Sequence, residues 1–90
     1  GDLRSFKQEK GAIYQMEPLK RMRTDFYAAH PTLPMGTRVR LAIPDNSGFV
    51  ELEIVARAPS RNQAILGLPP ACVEALFGDR VPRTVEILYP

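Results

Sequence analysis

The sequence predicts a mostly β fold, namely a small barrel of six or so short strands with one short helix. Short segments in which apolar and polar residues alternate recur along the chain, and this period of two is typical of half-buried strands. Turns rich in proline, glycine and asparagine separate these segments. Because a chain of 90 residues is too short to cover the edges of an open sheet, we expect the strands to close into a barrel.

Composition indicates a single folded domain and excludes several functional classes. The chain is 44% hydrophobic, which is typical of a globular domain. Its single cysteine, Cys72, has no internal disulfide partner, so we expect it to lie in the core. The net charge of +2 gives no support for nucleic-acid binding. No apolar run approaches the roughly 20 residues that span a bilayer, so we expect no membrane-spanning segment.

The N-terminal part divides into a linker, a strand and a basic loop. Residues 1–10 are polar and charged, and we expect a linker or remnant there, followed by the barrel domain over residues 11–90. Residues 11–16 are apolar enough for a first strand, and the basic residues 17–23 predict an exposed loop. Residues 1–10 contain no signal-type apolar core, so we expect any targeting segment or lipid anchor to lie outside this sequence.

The stretch at residues 27–43, YAAHPTLPMGTRVRLAI, contains the only histidine. Pro31 and Pro34 fix their own φ angles and push the preceding residues toward extended conformations. A rigid, turn-rich loop carrying His30 is therefore predicted. From Thr37 onward the alternation predicts a strand, so His30 is expected at the lip of a sheet.

The remaining elements follow from the same patterns. Residues 44–48 are dense in turn formers and predict a hairpin with a strand over residues 49–56. Residues 64–68 predict a strand, residues 71–77 a short helix that Gly78 ends, and residues 84–89 a last strand. The expected hairpin register pairs Ile43 with Val50, Leu41 with Leu52 and Arg40 with Glu53.

Two segments of this chain resemble one known family. Residues 28–40, AAHPTLPMGTRVR, are similar to the loop-and-strand signature of the rare lipoprotein A (RlpA)-like double-psi β-barrels. Residues 68–76, LPPACVEAL, are similar to that family's short helix, and Arg57 and Pro59 fall where the family has an arginine and a proline. The resemblance implies a double-psi β-barrel, related to barwin, expansin and lytic transglycosylase barrels.

The resemblance also implies cell-wall chemistry and a place in the envelope, either periplasmic or associated with the outer membrane. Active members resemble lytic transglycosylases, which cleave peptidoglycan glycan strands without water and need an acid and a base to move protons. In the family one aspartate lies on the strand after the hairpin and a second acid precedes the helix. This chain has Ala56 and Gly67 there. We therefore expect a degenerate barrel in which His30 lacks a carboxylate partner.

Three functions remain open at this point. The first is a barrel that binds or organises peptidoglycan glycan strands or cell-wall peptides without cleaving them. The second is an active lytic transglycosylase with a relocated acid, for which Asp25 is the best candidate. The third is a protein-interaction or spacer module whose partners are envelope proteins.

The candidate ligand-binding residues combine arginines for carboxylates with tyrosines that offer a flat face to a sugar. They are His30, Arg57, Arg61, Tyr27 and Tyr14. His30 has a second interpretation, in which its ring satisfies backbone groups of its own loop. We assign no catalytic residue. One histidine and one cysteine give no metal-ligand spacing, so we expect neither a metal nor a cofactor.

Overall fold

The computed structural model describes residues 6–43, 48–60 and 63–90. Over these residues the chain forms a closed barrel of six strands with one helix, which confirms the predicted mostly β class and the barrel. The elements are β1 (Lys7–Gln15), β2 (Tyr27–His30), β3 (Arg38–Ala42), β4 (Phe49–Arg57), β5 (Ala64–Leu68), α1 (Pro70–Phe77) and β6 (Val85–Tyr89).

The strands follow the order β1-β5-β2-β4-β3-β6, and β6 pairs with β1 to close the barrel. Two of the pairs, β1 with β5 and β2 with β4, are parallel, and the others are antiparallel. Each parallel pair carries one register shift, between Ala12 and Ile13 in β1 and between Ala28 and Ala29 in β2. Closure gives every strand two neighbours, so no edge is left to pair with another chain.

The main core fills the barrel and extends to one side of α1. Its buried residues come from every strand except β1, whose Ile13 packs against it. They are Ala28, Val39, Leu41, Leu52, Ile54, Ile65, Leu66, Leu68, Cys72, Val73, Val85 and Ile87. The helix begins at Pro70, where the missing N–H needs no partner, and ends at Gly78, whose φ of 58° suits glycine and whose N–H bonds to the Glu74 carbonyl at 2.9 Å.

A second, smaller cluster lies on the other face of β2 and is covered by the chain between β1 and β2. It contains the buried residues Met16, Tyr27, Ala29 and Ala58. Leu19 and Met22 from the connecting loop pack against it. The Leu19 N–H donates a hydrogen bond of 2.8 Å to the Tyr27 hydroxyl oxygen, which holds the loop on this face. Both faces of β2 are consequently buried.

The linker predicted for residues 1–10 is too long. β1 begins at Lys7, and its first residues pair with β6 from Lys7 opposite Tyr89 to Gly11 opposite Val85. Residues 1–5 lie outside the described residues. The polar composition of this segment misled the prediction, because strand pairing uses backbone groups and β6 needs a second antiparallel neighbour for the barrel to close.

The predicted hairpin register is wrong by two residues. The turn residues 44–47 lie outside the described residues, but the two strands that flank them are clear. A shift of two residues returns every side chain to the same face, so the hydrophobic pattern satisfies either register. The observed pairs are Arg38 with Glu53, Val39 with Leu52, Arg40 with Glu51, Leu41 with Val50 and Ala42 with Phe49.

The loop predicted to carry His30 begins later than expected, because residues 27–30 form strand β2. All four side chains of this strand are buried. A short strand that is buried on both faces shows no alternation between apolar and polar residues. The sequence therefore carried no signal that separates it from a loop.

Cys72 is completely buried in α1 and carries a free thiol. Burial, with a further contribution from the negative charge of Asp25, raises the pKa of this thiol from 9.0 to about 11. The unfolded chain therefore releases the thiol proton at a lower pH than the folded chain does. The stabilisation from this group is fully present below about pH 9 and is lost as the pH rises to about 11.

We predict that the free energy of unfolding falls by roughly 2–3 kcal/mol between about pH 9 and 11 because of Cys72. Urea denaturation across this range measures the fall. Tyr14 and Tyr89 also have raised pKa values, so the comparison is with Cys72→Ala, which keeps both tyrosines and should show a shallower fall. Equal slopes for the two proteins would contradict the prediction.

Candidate functional site

His30 is the only buried polar or charged residue within the described part of the chain, with 2% of its surface exposed. It is the last residue of β2, and Pro31 ends the strand immediately after it. A buried imidazole needs hydrogen-bond partners for both ring nitrogens, since an unpaired polar atom in the interior costs free energy. These partners determine what the side chain can do chemically.

The loop that follows β2 supplies the partners of Nδ1. The backbone N–H groups of Thr32 and Leu33 each donate a hydrogen bond of 3.0 Å to His30 Nδ1. A nitrogen that accepts from two donors carries no proton itself, so the ring proton of the neutral imidazole belongs on Nε2. Nε2 then donates to Glu9 Oε1 at 2.9 Å. The two contacts of Nδ1 agree with the sequence-based interpretation in which the His30 ring satisfies backbone groups of its own loop.

The prediction that His30 lacks a carboxylate partner is wrong, because Glu9 occupies that position. Glu9 comes from β1, and its side chain is 34% exposed. The prediction of a linker over residues 1–10 excludes Glu9 from the site. No local pattern marks the contact, since Glu9 and His30 lie 21 residues apart in sequence and on strands that are not neighbours in the barrel.

Arg57 donates hydrogen bonds to the backbone at His30 and at Leu33, in the loop that follows β2. Its Nη1 donates to the carbonyl oxygens of His30 at 3.1 Å and Leu33 at 2.8 Å. The Ala58 N–H also donates to the His30 carbonyl, at 3.1 Å. The candidate ligand-binding arginine therefore has a structural role, because it joins the loop after β2 to β4.

A third side chain lies against the Glu9–His30 pair. The rings of Tyr89 and His30 pack edge to face, with centroids 6.4 Å apart and an angle of 66°. Burial raises the pKa of the Tyr89 hydroxyl, and the charge of Glu9 adds to this effect. Three strands, β1, β2 and β6, thus each contribute one side chain to this cluster.

The two positions where the family resemblance places acids lie on either side of Ala29. Ala29 pairs with Gly67 of β5 and with Ala56 of β4, and Gly67 pairs in turn with Tyr14 of β1. We call these four residues, Tyr14, Gly67, Ala29 and Ala56, the cross-strand row. Ala29 belongs to the smaller cluster, and Tyr14 and Ala56 pack against it.

The Tyr14 ring occupies the space that a side chain at position 67 would need. A Cβ atom built on Gly67 would lie 2.8 Å from both Cε1 and Cζ of Tyr14, closer than nonbonded carbon atoms approach. Burial raises the pKa of the Tyr14 hydroxyl. Glycine is therefore required at position 67 for this ring placement, and the row contains no carboxylate.

The other predicted site residues do not join His30. Tyr27 is 2% exposed, and its hydroxyl accepts the Leu19 hydrogen bond, so it presents no face to a sugar. Asp25 is exposed, and its charge acts on Cys72, whereas the carboxylate at the imidazole belongs to Glu9. Arg61 lies outside the described residues.

No protein-family model matches this chain, and no curated protein matches it. The described residues include no group of three or more histidine, cysteine, aspartate or glutamate side chains that would hold a metal ion. In the same part of the chain no helix has the length and apolar character needed to cross a membrane.

We predict that His30→Ala lowers the free energy of unfolding by about 2–4 kcal/mol, because it removes the acceptor for two backbone N–H groups and leaves a cavity. His30→Asn should cost less, since an asparagine oxygen accepts from the N–H groups two and three residues on. Glu9→Gln retains an oxygen acceptor for Nε2 and should cost less than about 1 kcal/mol.

Urea denaturation of the three variants measures this order, with Glu53→Gln on the exposed face of β4 as the control for loss of a surface charge. The expected ranking of the losses is His30→Ala, then His30→Asn, then Glu9→Gln. An alanine variant as stable as the control would show that the backbone contacts to Nδ1 contribute nothing.

Proposed function

We propose that this chain is an RlpA-like double-psi β-barrel that binds or organises peptidoglycan in the cell envelope without cleaving it. The resemblance at residues 28–40 and 68–76 supports the family. A closed six-stranded barrel with two parallel strand pairs supports the double-psi arrangement. Location in the periplasm or at the outer membrane follows from the family and is part of the proposal.

The observation that carries the non-cleaving part is that the protein itself occupies both nitrogens of His30. Glycan cleavage needs one group that donates a proton to the glycosidic oxygen and another that removes a proton from the attacking hydroxyl. His30 Nδ1 accepts from Thr32 and Leu33, and Nε2 donates to Glu9. A substrate hydroxyl would have to displace one of these contacts before the imidazole accepted its proton.

The cross-strand row does not provide a replacement acid. Its only ionisable group is the Tyr14 phenol, and burial raises the pKa of that hydroxyl from its ordinary value. A phenol with a raised pKa is a weaker proton donor than one in water and carries no negative charge at neutral pH. The row therefore suits contact with a ligand better than proton transfer.

Two side chains support binding of an anionic sugar or peptide. Tyr14 is half-buried, with its ring beside Gly67. Arg57 is exposed, and although Nη1 serves two carbonyls, a guanidinium has five N–H donors in all. Among the described residues none accepts from Nη2 or Nε of Arg57, so these donors remain for a carboxylate.

The Glu9–His30 pair favours a second candidate, an active lytic transglycosylase with a relocated acid. Here the relocated carboxylate is Glu9 and not Asp25, since Glu9 lies 2.9 Å from the only imidazole and about one third of its side chain reaches solvent. Against this function, Glu9 Oε1 accepts a hydrogen bond from Nε2, whereas a general acid has to donate one.

We predict that the protein sediments with purified peptidoglycan sacculi and releases no anhydro-muropeptides, as measured by mass spectrometry. Arg57→Lys keeps a cationic donor for the two carbonyls but loses the planar fork, and we expect it to weaken sedimentation by about tenfold. Arg38→Lys, in the exposed ion pair with Glu51 at 3.4 Å, is the matched control and should bind as the unchanged protein does.

Release of anhydro-muropeptides that is lost in Glu9→Gln would overturn the proposal and establish the second candidate. If the protein neither sediments with sacculi nor releases anhydro-muropeptides, the proposal is also contradicted. The protein-interaction module is then the remaining function. Circular dichroism of each variant ensures that a lost signal reports binding and not unfolding.

A further inference from the structure

A groove on the barrel wall lies apart from both His30 and the cross-strand row. It has a volume of about 300 Å³ and is lined by Lys10, Ala42, Ile43, Thr84, Val85 and Glu86. These residues come from β1, the last residue of β3 with the residue after it, and the first two residues of β6 with the residue before them. A groove of this size is at the lower end of the range for small-molecule sites.

One carboxylate oxygen in this groove lacks a hydrogen-bond donor. Glu86 Oε2 is shielded from solvent, and no described residue donates to it. Removing a carboxylate oxygen from water without a donor costs more than burying a neutral polar atom. Because Oε2 is shielded, the carboxylate charge is incompletely solvated, and a cationic ligand that pairs with the other oxygen, Oε1, would recover part of this free energy.

A positive charge lies directly across the strand pair from this carboxylate. Lys10 of β1 is the register partner of Glu86 of β6, and residues opposite each other in an antiparallel pair have Cβ atoms about 4.5–5.5 Å apart. Although both residues are in the described part of the chain, they form no ion pair with each other. The Lys10 ammonium is thus present to pair with an anion at the exposed rim of the groove.

The rest of the lining is suited to a short aliphatic group. Ala42 and Ile43 at the end of β3 contribute methyl and methylene surface, and Thr84 contributes a further methyl group. A ligand that satisfies all of these features carries a cation and an anion on one carbon and an aliphatic tail. An α-amino acid group has this arrangement.

We propose that this groove binds the zwitterionic end of an aliphatic α-amino acid, with its ammonium at Glu86 and its carboxylate at Lys10. The ligand is either a free amino acid or an amino-acid end group that is attached to a larger molecule through its side chain. The proposal does not depend on peptidoglycan binding, because small probes test it without sacculi.

The test is an NMR titration of the whole isotope-labelled chain with three matched probes. L-Norleucine carries both charges, pentylamine is the same skeleton without the carboxylate, and hexanoate is the same skeleton without the ammonium. We expect saturable shifts at the groove residues with norleucine, and binding weaker by about tenfold or more with either singly charged probe.

Two variants connect the binding to the named charges. Glu86→Gln should weaken norleucine binding by about tenfold or more, and Lys10→Met by several-fold. Glu53→Gln, which removes an exposed carboxylate elsewhere on the outer surface, should leave the affinity unchanged. The same spectra report whether each variant is folded.

Nε-acetyl-lysine distinguishes the two sources of the ligand, because it carries the same zwitterion with an amide on its tail. If Nε-acetyl-lysine binds as tightly as norleucine, the ligand is an attached end group. If it binds much more weakly, the ligand is a free amino acid. Three results would overturn the proposal: no shift with norleucine at millimolar concentration, unchanged norleucine affinity in Glu86→Gln, or pentylamine binding as tightly as norleucine.

Discussion

The hydrogen-bond network of His30 is the constraint on which the site depends. One buried imidazole joins β1 through Glu9 and the loop after β2 through the N–H groups of Thr32 and Leu33. Arg57 of β4 binds the same loop through the carbonyls of His30 and Leu33. Loss of Glu9 would leave the buried Nε2 without an acceptor, and loss of the imidazole would leave the N–H groups of Thr32 and Leu33 without theirs. The fold therefore depends on the hydrogen bonds of Nδ1 and Nε2, and His30 would have to break one of them to exchange a proton with a substrate.

Some polar groups of the barrel are bonded within the protein, and others are open to a ligand. His30 and Arg57 Nη1 are fully used within the protein, and Tyr27 is buried with its hydroxyl accepting a hydrogen bond. The charged groups that we propose for ligand contact are the remaining donors of Arg57 and, at a separate groove on the barrel wall, Lys10 and Glu86. Arg57 thus contributes to the structure through Nη1 and to the proposed ligand contact through its other donors. These contacts support the proposal that the barrel holds a ligand and does not transfer its protons.

Much of the fold could be predicted from the sequence, because half-buried strands alternate and the helix is bounded by Pro70 and Gly78. The hairpin register could not, since a shift of two residues leaves every side chain of β3 and β4 on its own face. Strand β2 is buried on both faces and shows no alternation. The first residues of β1 are polar and pair through their backbone. In each case the deciding interaction is tertiary.

The site was harder to predict than the fold for the same reason. His30 lies in a segment that resembles the family, Arg57 lies where the family has an arginine, and their residue types predict ligand contacts. Their partners are backbone atoms and a glutamate on a distant strand, which no spacing rule connects to them. The absence of acids at Ala56 and Gly67 was readable in the sequence. The Tyr14 ring that takes the place of a side chain at position 67 was not.

The most direct test of this account is the protonation pattern of the His30 ring, read by nitrogen NMR of the isotope-labelled chain at neutral pH. The account predicts a single neutral tautomer with the proton on Nε2 and none on Nδ1. It also predicts that Glu9→Gln keeps this tautomer, because the N–H groups of Thr32 and Leu33 fix it. A proton on Nδ1, or an exchanging mixture of the two tautomers, would contradict the account and return His30 to the list of candidate proton carriers.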